Sequence, residues 1–128
     1  MTIHLDHAIV SAHDRDASGK RLAELLGVRC GPAREGPFFA VYINDGLTLD
    51  FYGTDEPFPV EHFCFRVGED EFDQVFGRIR AQGLEHWADP GQRSAGRINT
   101  NDGGRGAYFE DPDGHLLEII TRPYGSAG

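Results

Sequence analysis

Four residues capable of metal or acid–base chemistry stand in apolar surroundings: His7, Asp50, His62 and Glu118. A carboxylate on a half-buried strand is costly unless an arginine, protonation or a metal ion compensates its charge. Two histidines with one or two carboxylates match the ligand preferences of Zn, Fe(II), Mn, Co and Ni. Such a set leaves coordination positions open for substrate or water, which is typical of catalytic sites. A packed histidine and a glutamate paired with an arginine are the competing interpretations.

An internal repeat places these four residues at matched positions. The segment DHAIV aligns with EHFCF, and DGLTLDFYG aligns with DGHLLEIIT. Under this alignment His7 matches His62, and Asp50 matches Glu118. Two pairs related by internal symmetry are harder to attribute to packing than a single histidine in a strand, so the repeat favours a metal site.

The elements that would position these residues follow one order twice. Alternating apolar residues predict a strand in IHLDHAIV, and Ser11 with Asp14 resembles a capping box that starts a helix ending at Gly27. Two strands, PFFAVYIN and GLTLDFYG, follow. The second half repeats this with the strand PVEHFCFRV, the helix GEDEFDQVFGRIRAQG, a short segment GLEHWAD that reads as a weak strand, and a hairpin closed by DPDG.

This order predicts an α+β protein of one domain over residues 1–128. Module 1 spans about residues 1–55 and module 2 about 58–124. The second module is longer because of a glycine-rich, polar segment at 89–105. Loops of this length in compact domains tend to be functional or disordered.

Composition excludes several classes of function. The chain of 128 residues has a formal net charge of −9, which disfavours a nucleic-acid-binding protein. No run approaches the roughly 20 apolar residues of a membrane helix, and the first ten residues lack the pattern of a signal peptide. Two cysteines without CxxC spacing fit a reducing compartment. We therefore expect a cytoplasmic protein with neither nucleic acid nor membrane as a partner.

Three motifs resemble those of the vicinal oxygen chelate superfamily: LDHAIV, EHFCFRV and, most specifically, AYFEDPDGHLLEI. This superfamily includes glyoxalase I, fosfomycin-modifying enzymes, methylmalonyl-CoA epimerase, extradiol dioxygenases and bleomycin-resistance proteins. The resemblance covers nearly the whole chain. It implies two βαβββ modules that form a cupped mixed sheet around a divalent metal.

The resemblance also implies roles for individual residues. His7, His62 and Glu118 occupy metal-ligand positions. Asp50 stands where some members have a fourth ligand, but it is one methylene shorter than glutamate, so it becomes a general base or a ligand acting through water. Tyr108 matches a substrate-facing tyrosine and becomes a hydrogen-bond donor or acid. Small members usually form homodimers with the site at the interface, and whether modules pair within or between chains stays open.

Further residues are expected to contact substrate. Arg97 and Arg105, in the long loop of an otherwise acidic chain, could clamp an anionic group; a solvated loop is the alternative. Tyr52 and Arg66 share the strand face of the candidate ligands and would either contact substrate or pack. Cys64 shares this face as well, and we expect it to be buried and inert.

The sequence thus predicts a glyoxalase-like enzyme that uses a divalent metal on a small substrate with vicinal oxygens. The metal would chelate both oxygens and stabilise an enolate or oxyanion as a Lewis acid. Lyase or isomerase chemistry is placed first and an extradiol ring-cleaving dioxygenase second. The alternative from another class is a non-enzymatic, drug-binding protein of the bleomycin-resistance type.

Overall fold

The computed structural model describes residues 2–128. The chain divides into two compact units, one ending at Pro59 and the other running from Val60 to Gly128. Across the described residues, no helix has both the length and the apolar character needed to cross a membrane.

The described part of the first unit is a helix on a four-stranded sheet. Its elements are β1 (His7–Ala12), α1 (Arg15–Leu26), β2 (Cys30–Pro32), β3 (Phe38–Asn44) and β4 (Leu47–Gly53). The strand order is β1-β4-β3-β2, with β1 parallel to β4 and the other pairs antiparallel. This unit follows the predicted βαβββ order.

The second unit repeats the pattern with a smaller sheet. Its elements are β5 (His62–Arg66), α2 (Glu69–Ala81), a 3-10 helix (Asn101–Gly103), β6 (Gly106–Glu110) and β7 (Leu116–Ile120). The strand order is β5-β7-β6, with β5 parallel to β7 and β6 antiparallel to it. The predicted α+β class with two repeated modules is confirmed.

One predicted strand of the second module is only a bridge. Trp87 exchanges two backbone hydrogen bonds with Tyr108, at 2.9 and 2.8 Å, and no longer ladder forms there. Asp89 and Pro90 follow at once, and proline lacks the N–H that a further rung would need. The segment GLEHWAD therefore contributes a single rung beside β6.

The predicted start of α1 is wrong by one turn. Ser11 lies within β1, and Asp14 is the N-cap, whose carboxylate accepts the Ala17 N–H at 3.0 Å. Asp14 thus serves as the cap itself rather than as the acid of a capping box. The end of the helix is as predicted, because Gly27 adopts a left-handed conformation with φ of 74°.

Strand alternation separates a buried, apolar face from an opposite face in each sheet. In β1 and β4 the buried residues are Val10, Ala12, Leu49 and Phe51. In β6 and β7 the buried hydrophobic residues are Ala107, Phe109, Leu117 and Ile119. The residues between them point to the opposite face, which carries the candidate site residues of each unit.

Candidate functional site

Glu118 lies at the centre of the functional face of the second unit. It is the middle residue of β7, where its Cα partners are Cys64 on β5 and Tyr108 on β6. Paired residues on adjacent strands share a face, so these three side chains form a row across the sheet. Glu118 is only 9% exposed. A buried acid in such a row needs a compensating donor or cation.

His62 presents a nitrogen to this carboxylate. Its Nδ1 lies 3.0 Å from the carbonyl oxygen of Leu116, which can only accept, so Nδ1 carries a proton. In the neutral ring Nε2 is then an acceptor, and it lies 3.2 Å from Oε1 of Glu118. Two acceptors facing each other require a proton or a metal ion between them. A histidine oriented by a backbone carbonyl, with a carboxylate beside its free nitrogen, fits a divalent cation.

Tyr108 and Cys64 both hydrogen-bond to Glu118. Burial, the hydrogen bond and the charge of this glutamate raise the pKa of the Cys64 thiol to about 12, and the same causes raise the pKa of Tyr108. Both groups are therefore protonated at neutral pH and donate to the carboxylate. The Tyr108 ring also stacks on the ring of His62, with centroids 6.2 Å apart.

The expectation that Cys64 is buried is wrong, because the residue as a whole is exposed, whereas its raised pKa agrees with the expectation of an inert thiol. Its place on edge strand β5, in the row of Glu118, leaves its side chain on the open face of the sheet. A period-two pattern identifies the face but does not say whether anything covers it.

The first unit carries the other two predicted residues. His7, at the start of β1, has Nδ1 2.8 Å from Oδ2 of Asp6. This hydrogen bond, with the charges of Asp6 and Asp50, raises the pKa of His7. A histidine that hydrogen-bonds to a carboxylate through one nitrogen presents the other to a metal. His7 and Asp50 line one cavity of about 670 Å³, together with Thr48 and Arg34.

No group of three or more His, Cys, Asp or Glu side chains among residues 2–128 is placed to hold a metal ion. The candidate ligands occur as a His62–Glu118 pair in one unit and as His7 with Asp50 in the other. The three-residue ligand set thus stays a prediction.

The predicted substrate-binding residues have different surroundings. Arg105 is held by ion pairs to Glu69 and Asp73, at 2.9 and 2.7 Å. Arg97 is exposed and does not line the cavity beside Glu118.

The other two predicted substrate contacts lie at strand positions. Arg66 is exposed at the end of β5. Tyr52 is 41% exposed, and its ring centroid is 6.0 Å from that of Phe38. It lines a cavity separate from the one that contains His7. Their roles toward substrate stay predictions.

A cavity of about 490 Å³ adjoins Glu118 and Tyr108 in the second unit. Arg105, Arg122, Asn99 and Tyr124 are among the residues that line it. Sequence reasoning missed Asp6 as a partner of His7 and Arg122 as a lining residue. The available signal for Arg122 was its closeness in sequence to Glu118, which lies four residues before it.

Comparison with known families assigns the chain. The model of the Glyoxalase/Bleomycin resistance protein/Dioxygenase superfamily matches residues 4–119. The chain belongs to this superfamily. The resemblance seen in the sequence motifs is therefore confirmed.

Two solved structures are similar to this member over nearly its whole length. Oxidase ChaP-H2 is 55% identical, with all of both chains covered and a TM-score of 0.94. Oxidase ChaP-H1 is 56% identical over 97% of this chain and 99% of its own, with a TM-score of 0.91. Lactoylglutathione lyase from Agrobacterium tumefaciens shares the fold, with 17% identity over 98% of each chain and a TM-score of 0.69.

A curated relative matches over a shorter stretch. Metallothiol transferase FosB of Shouchella clausii (strain KSM-K16) is 39% identical over 62 residues, which is 47% of this chain and 37% of the transferase. The chain thus matches little more than a third of that relative's length. The similar proteins include an oxidase pair, a lyase and a transferase, so the superfamily supports several reactions on one fold.

Proposed function

We propose that this protein is a metal-dependent oxidase that acts with dioxygen on a small substrate bearing two neighbouring oxygens. The observation that carries this proposal is the identity of 55% and 56%, over nearly the whole chain, to two proteins named as oxidases. A 2-His-1-carboxylate set with open positions is the ligand type of non-haem Fe(II) oxygenases. The sequence motifs place oxygen chemistry second among the enzymatic functions, and these relatives favour it.

The metal ligands in this proposal are His7, His62 and Glu118. Both histidines have Nδ1 engaged, one by Asp6 and one by the Leu116 carbonyl, which leaves each Nε2 for a cation. A bound divalent metal would supply a Lewis acid that chelates the two substrate oxygens. Pairing of His7 with the other two ligands across a homodimer, as the family resemblance implies, is part of the proposal.

The chain's own groups have separate roles around that centre. Tyr108 donates to Glu118 and fixes the orientation of its carboxylate, and it remains the candidate donor to substrate. Asp50 is the candidate general base, on the same sheet face as His7. Lyase or isomerase chemistry would use the same ligands and stays the competing prediction.

The test is metal analysis combined with oxygen uptake. Protein purified without chelators should hold roughly one divalent metal per chain, and the Fe(II)-loaded form should consume dioxygen with members of a catechol panel. His62→Ala should lose both properties, whereas the exposed His4→Ala, a matched control, should keep them.

Three outcomes would redirect the assignment. Turnover of hemithioacetals without oxygen uptake would assign lyase chemistry instead. Turnover of catechols without oxygen uptake would contradict the oxidase assignment. Drug binding unchanged in metal-free His62→Ala protein would assign a non-enzymatic binder.

A further inference from the structure

Two arginines, Arg105 and Arg122, line the cavity beside Glu118. Within the described residues, carboxylates neutralise the charge of Arg105 only. The Arg105 guanidinium donates to Glu69 and Asp73, at 2.9 and 2.7 Å, and also to the Glu69 carbonyl oxygen at 3.0 Å. It lies over the ring of Phe72, 4.4 Å from the centroid. Two carboxylates already balance this charge, so Arg105 attaches the end of the long loop to α2.

Arg122 has no carboxylate partner within residues 2–128 and still lines the cavity. It lies four residues after Glu118, and Ile120 between them lines the same cavity. The strand β7 ends at Ile120, and Arg122, two residues beyond it, lines the cavity together with Ile120 and Glu118. Of the two arginines that line this cavity, Arg122 is therefore the one available to an anion.

The chain that follows Arg122 closes one side of this cavity. The Asp102 carboxylate accepts the backbone N–H of Gly125 at 3.1 Å and that of Ala127 at 3.2 Å. Asp102 itself has φ of 57°, a left-handed conformation that costs a non-glycine residue energy. The two hydrogen bonds to the Asp102 carboxylate hold the segment that includes Tyr124, and this segment forms part of the cavity wall.

We propose that Arg122 binds an anionic group of the substrate, such as a carboxylate, in the cavity beside Glu118. This inference rests on the proposed function, since the substrate's neighbouring oxygens would bind at the metal that Glu118 helps to hold. The guanidinium offers two parallel N–H donors, which match a carboxylate. The substrate class is therefore a small molecule with two vicinal oxygens and a separate anionic group. Arg105, which the sequence suggested for this role, is already paired with two carboxylates and is the less available of the two arginines.

The test compares two probes that differ by one carboxylate. Catechol and protocatechuate share the vicinal oxygens, and only protocatechuate has the anionic group. Dissociation constants are measured by calorimetry on the full chain, metal-free and with Zn(II), which avoids oxidation. The unaltered protein should bind protocatechuate roughly tenfold more tightly than catechol, because a charge-assisted hydrogen bond is at stake.

Matched variants assign this preference to one side chain. Arg122→Gln should abolish the preference for protocatechuate, and Arg122→Lys should keep part of it. Arg80→Gln makes the same charge change at an exposed position of α2 and should keep all of it. Circular dichroism confirms that each variant is folded.

The outcomes separate this inference from the proposed function. If Zn(II) does not strengthen catechol binding but the Arg122-dependent preference persists, the metal function fails and the anion site stands. If Arg122→Gln keeps the preference, or the unaltered protein shows none, the anion site is overturned. If folded Arg105→Gln loses the preference for protocatechuate over catechol while Arg122→Gln keeps it, the anion site is reassigned to Arg105.

Discussion

At the scale of single residues, His62 and Glu118 face each other through a ring nitrogen and a carboxylate oxygen, a contact that needs a proton or a cation between them. Their facing atoms are 3.2 Å apart, and both are acceptors when the imidazole is neutral. The Leu116 carbonyl imposes that tautomer by accepting from the other ring nitrogen. Tyr108 and Cys64 also hydrogen-bond to Glu118, so they satisfy part of the carboxylate.

Glu118→Gln should therefore separate stability from metal binding. The amide N–H of glutamine can donate to Nε2 of His62, so the metal-free protein should gain about 1 kcal/mol of unfolding free energy. Zn(II) should stabilise the unaltered protein and leave the variant unaffected, since an amide is a weaker ligand than a carboxylate. Urea unfolding with and without Zn(II) measures both effects.

The control for this variant is Glu85→Gln, at an exposed position outside the site. It should change neither the unfolding free energy nor the response to Zn(II). A Glu118→Gln protein that is less stable without metal and still stabilised by Zn(II) would contradict the interpretation.

At the scale of elements, the turn after β6 connects the strands that carry the site. The Asp111 carboxylate accepts the N–H of Asp113 and of His115, both at 2.9 Å. The buried His115 ring in turn accepts the N–H of Glu61, the residue before His62, at 2.8 Å. The DPDGH motif thus ties the β6–β7 hairpin to β5, which places Glu118 beside His62.

Arg105 makes an equivalent connection between the long loop and α2. Arg105→Gln removes both ion pairs and the contact with Phe72, so it should lower the unfolding free energy by about 1–2 kcal/mol. Arg105→Lys should lose less, because it keeps the charge. Urea denaturation of the two variants beside Arg80→Gln measures the effect; a loss equal to that of Arg80→Gln would contradict it.

Asp89 makes the beginning of the long loop sensitive to acid. Its carboxylate accepts the N–H of Ser94 and of Arg93, and these bonds hold its pKa below the ordinary value of about 3.8. The stabilisation is thus complete above that value and lost as the pH falls through the lower, folded-state pKa. The amide resonances of Arg93 and Ser94 should keep their native positions at pH 5 and shift only below about 3.8.

An NMR titration of the Asp89→Asn variant provides the comparison. Its Arg93 and Ser94 resonances should show no acid transition, because asparagine does not ionise. A transition in the unaltered protein with a midpoint above the ordinary aspartate pKa would refute the stabilising role of these hydrogen bonds.

At the scale of the whole molecule, the face of β1 and β4 that carries the candidate site residues also carries exposed apolar side chains. On the first unit this face includes Ile9, which is 56% exposed beside Asp50, and Leu5, 66% exposed, precedes β1. Exposed apolar side chains next to polar site residues are typical of an interface. This agrees with the homodimer that the family resemblance implies.

Ile9→Glu should weaken that homodimer. A charge introduced into an apolar interface loses its hydration without gaining a partner, so the dimer dissociation constant should rise at least about tenfold. Sedimentation equilibrium measures the change, and Ala81→Glu, at the exposed end of α2, is the matched control. A monomeric unaltered protein, or a dimer unaffected by Ile9→Glu, would refute a dimer through this face.

The sequence by itself determined the superfamily, the repeat and the faces of the strands. Those features depend on period-two alternation and on local turns, which a linear pattern records directly. The strands β4, β5 and β7 lie where the pattern put them, whereas β1 begins at His7 and extends to Ala12 instead of spanning residues 3–10. The helix start at Asp14 was missed because Ser11 fits the same local pattern.

Only the tertiary structure decided which ion-pair and hydrogen-bond partners the site side chains have. The path of the long loop back to α2 decides which arginine is paired with carboxylates, and that arginine is Arg105. The tautomer of His62 depends on the register of β5 against Leu116. Both are contacts between residues distant in sequence. Their identity follows from strand pairing and loop path, which no local spacing encodes.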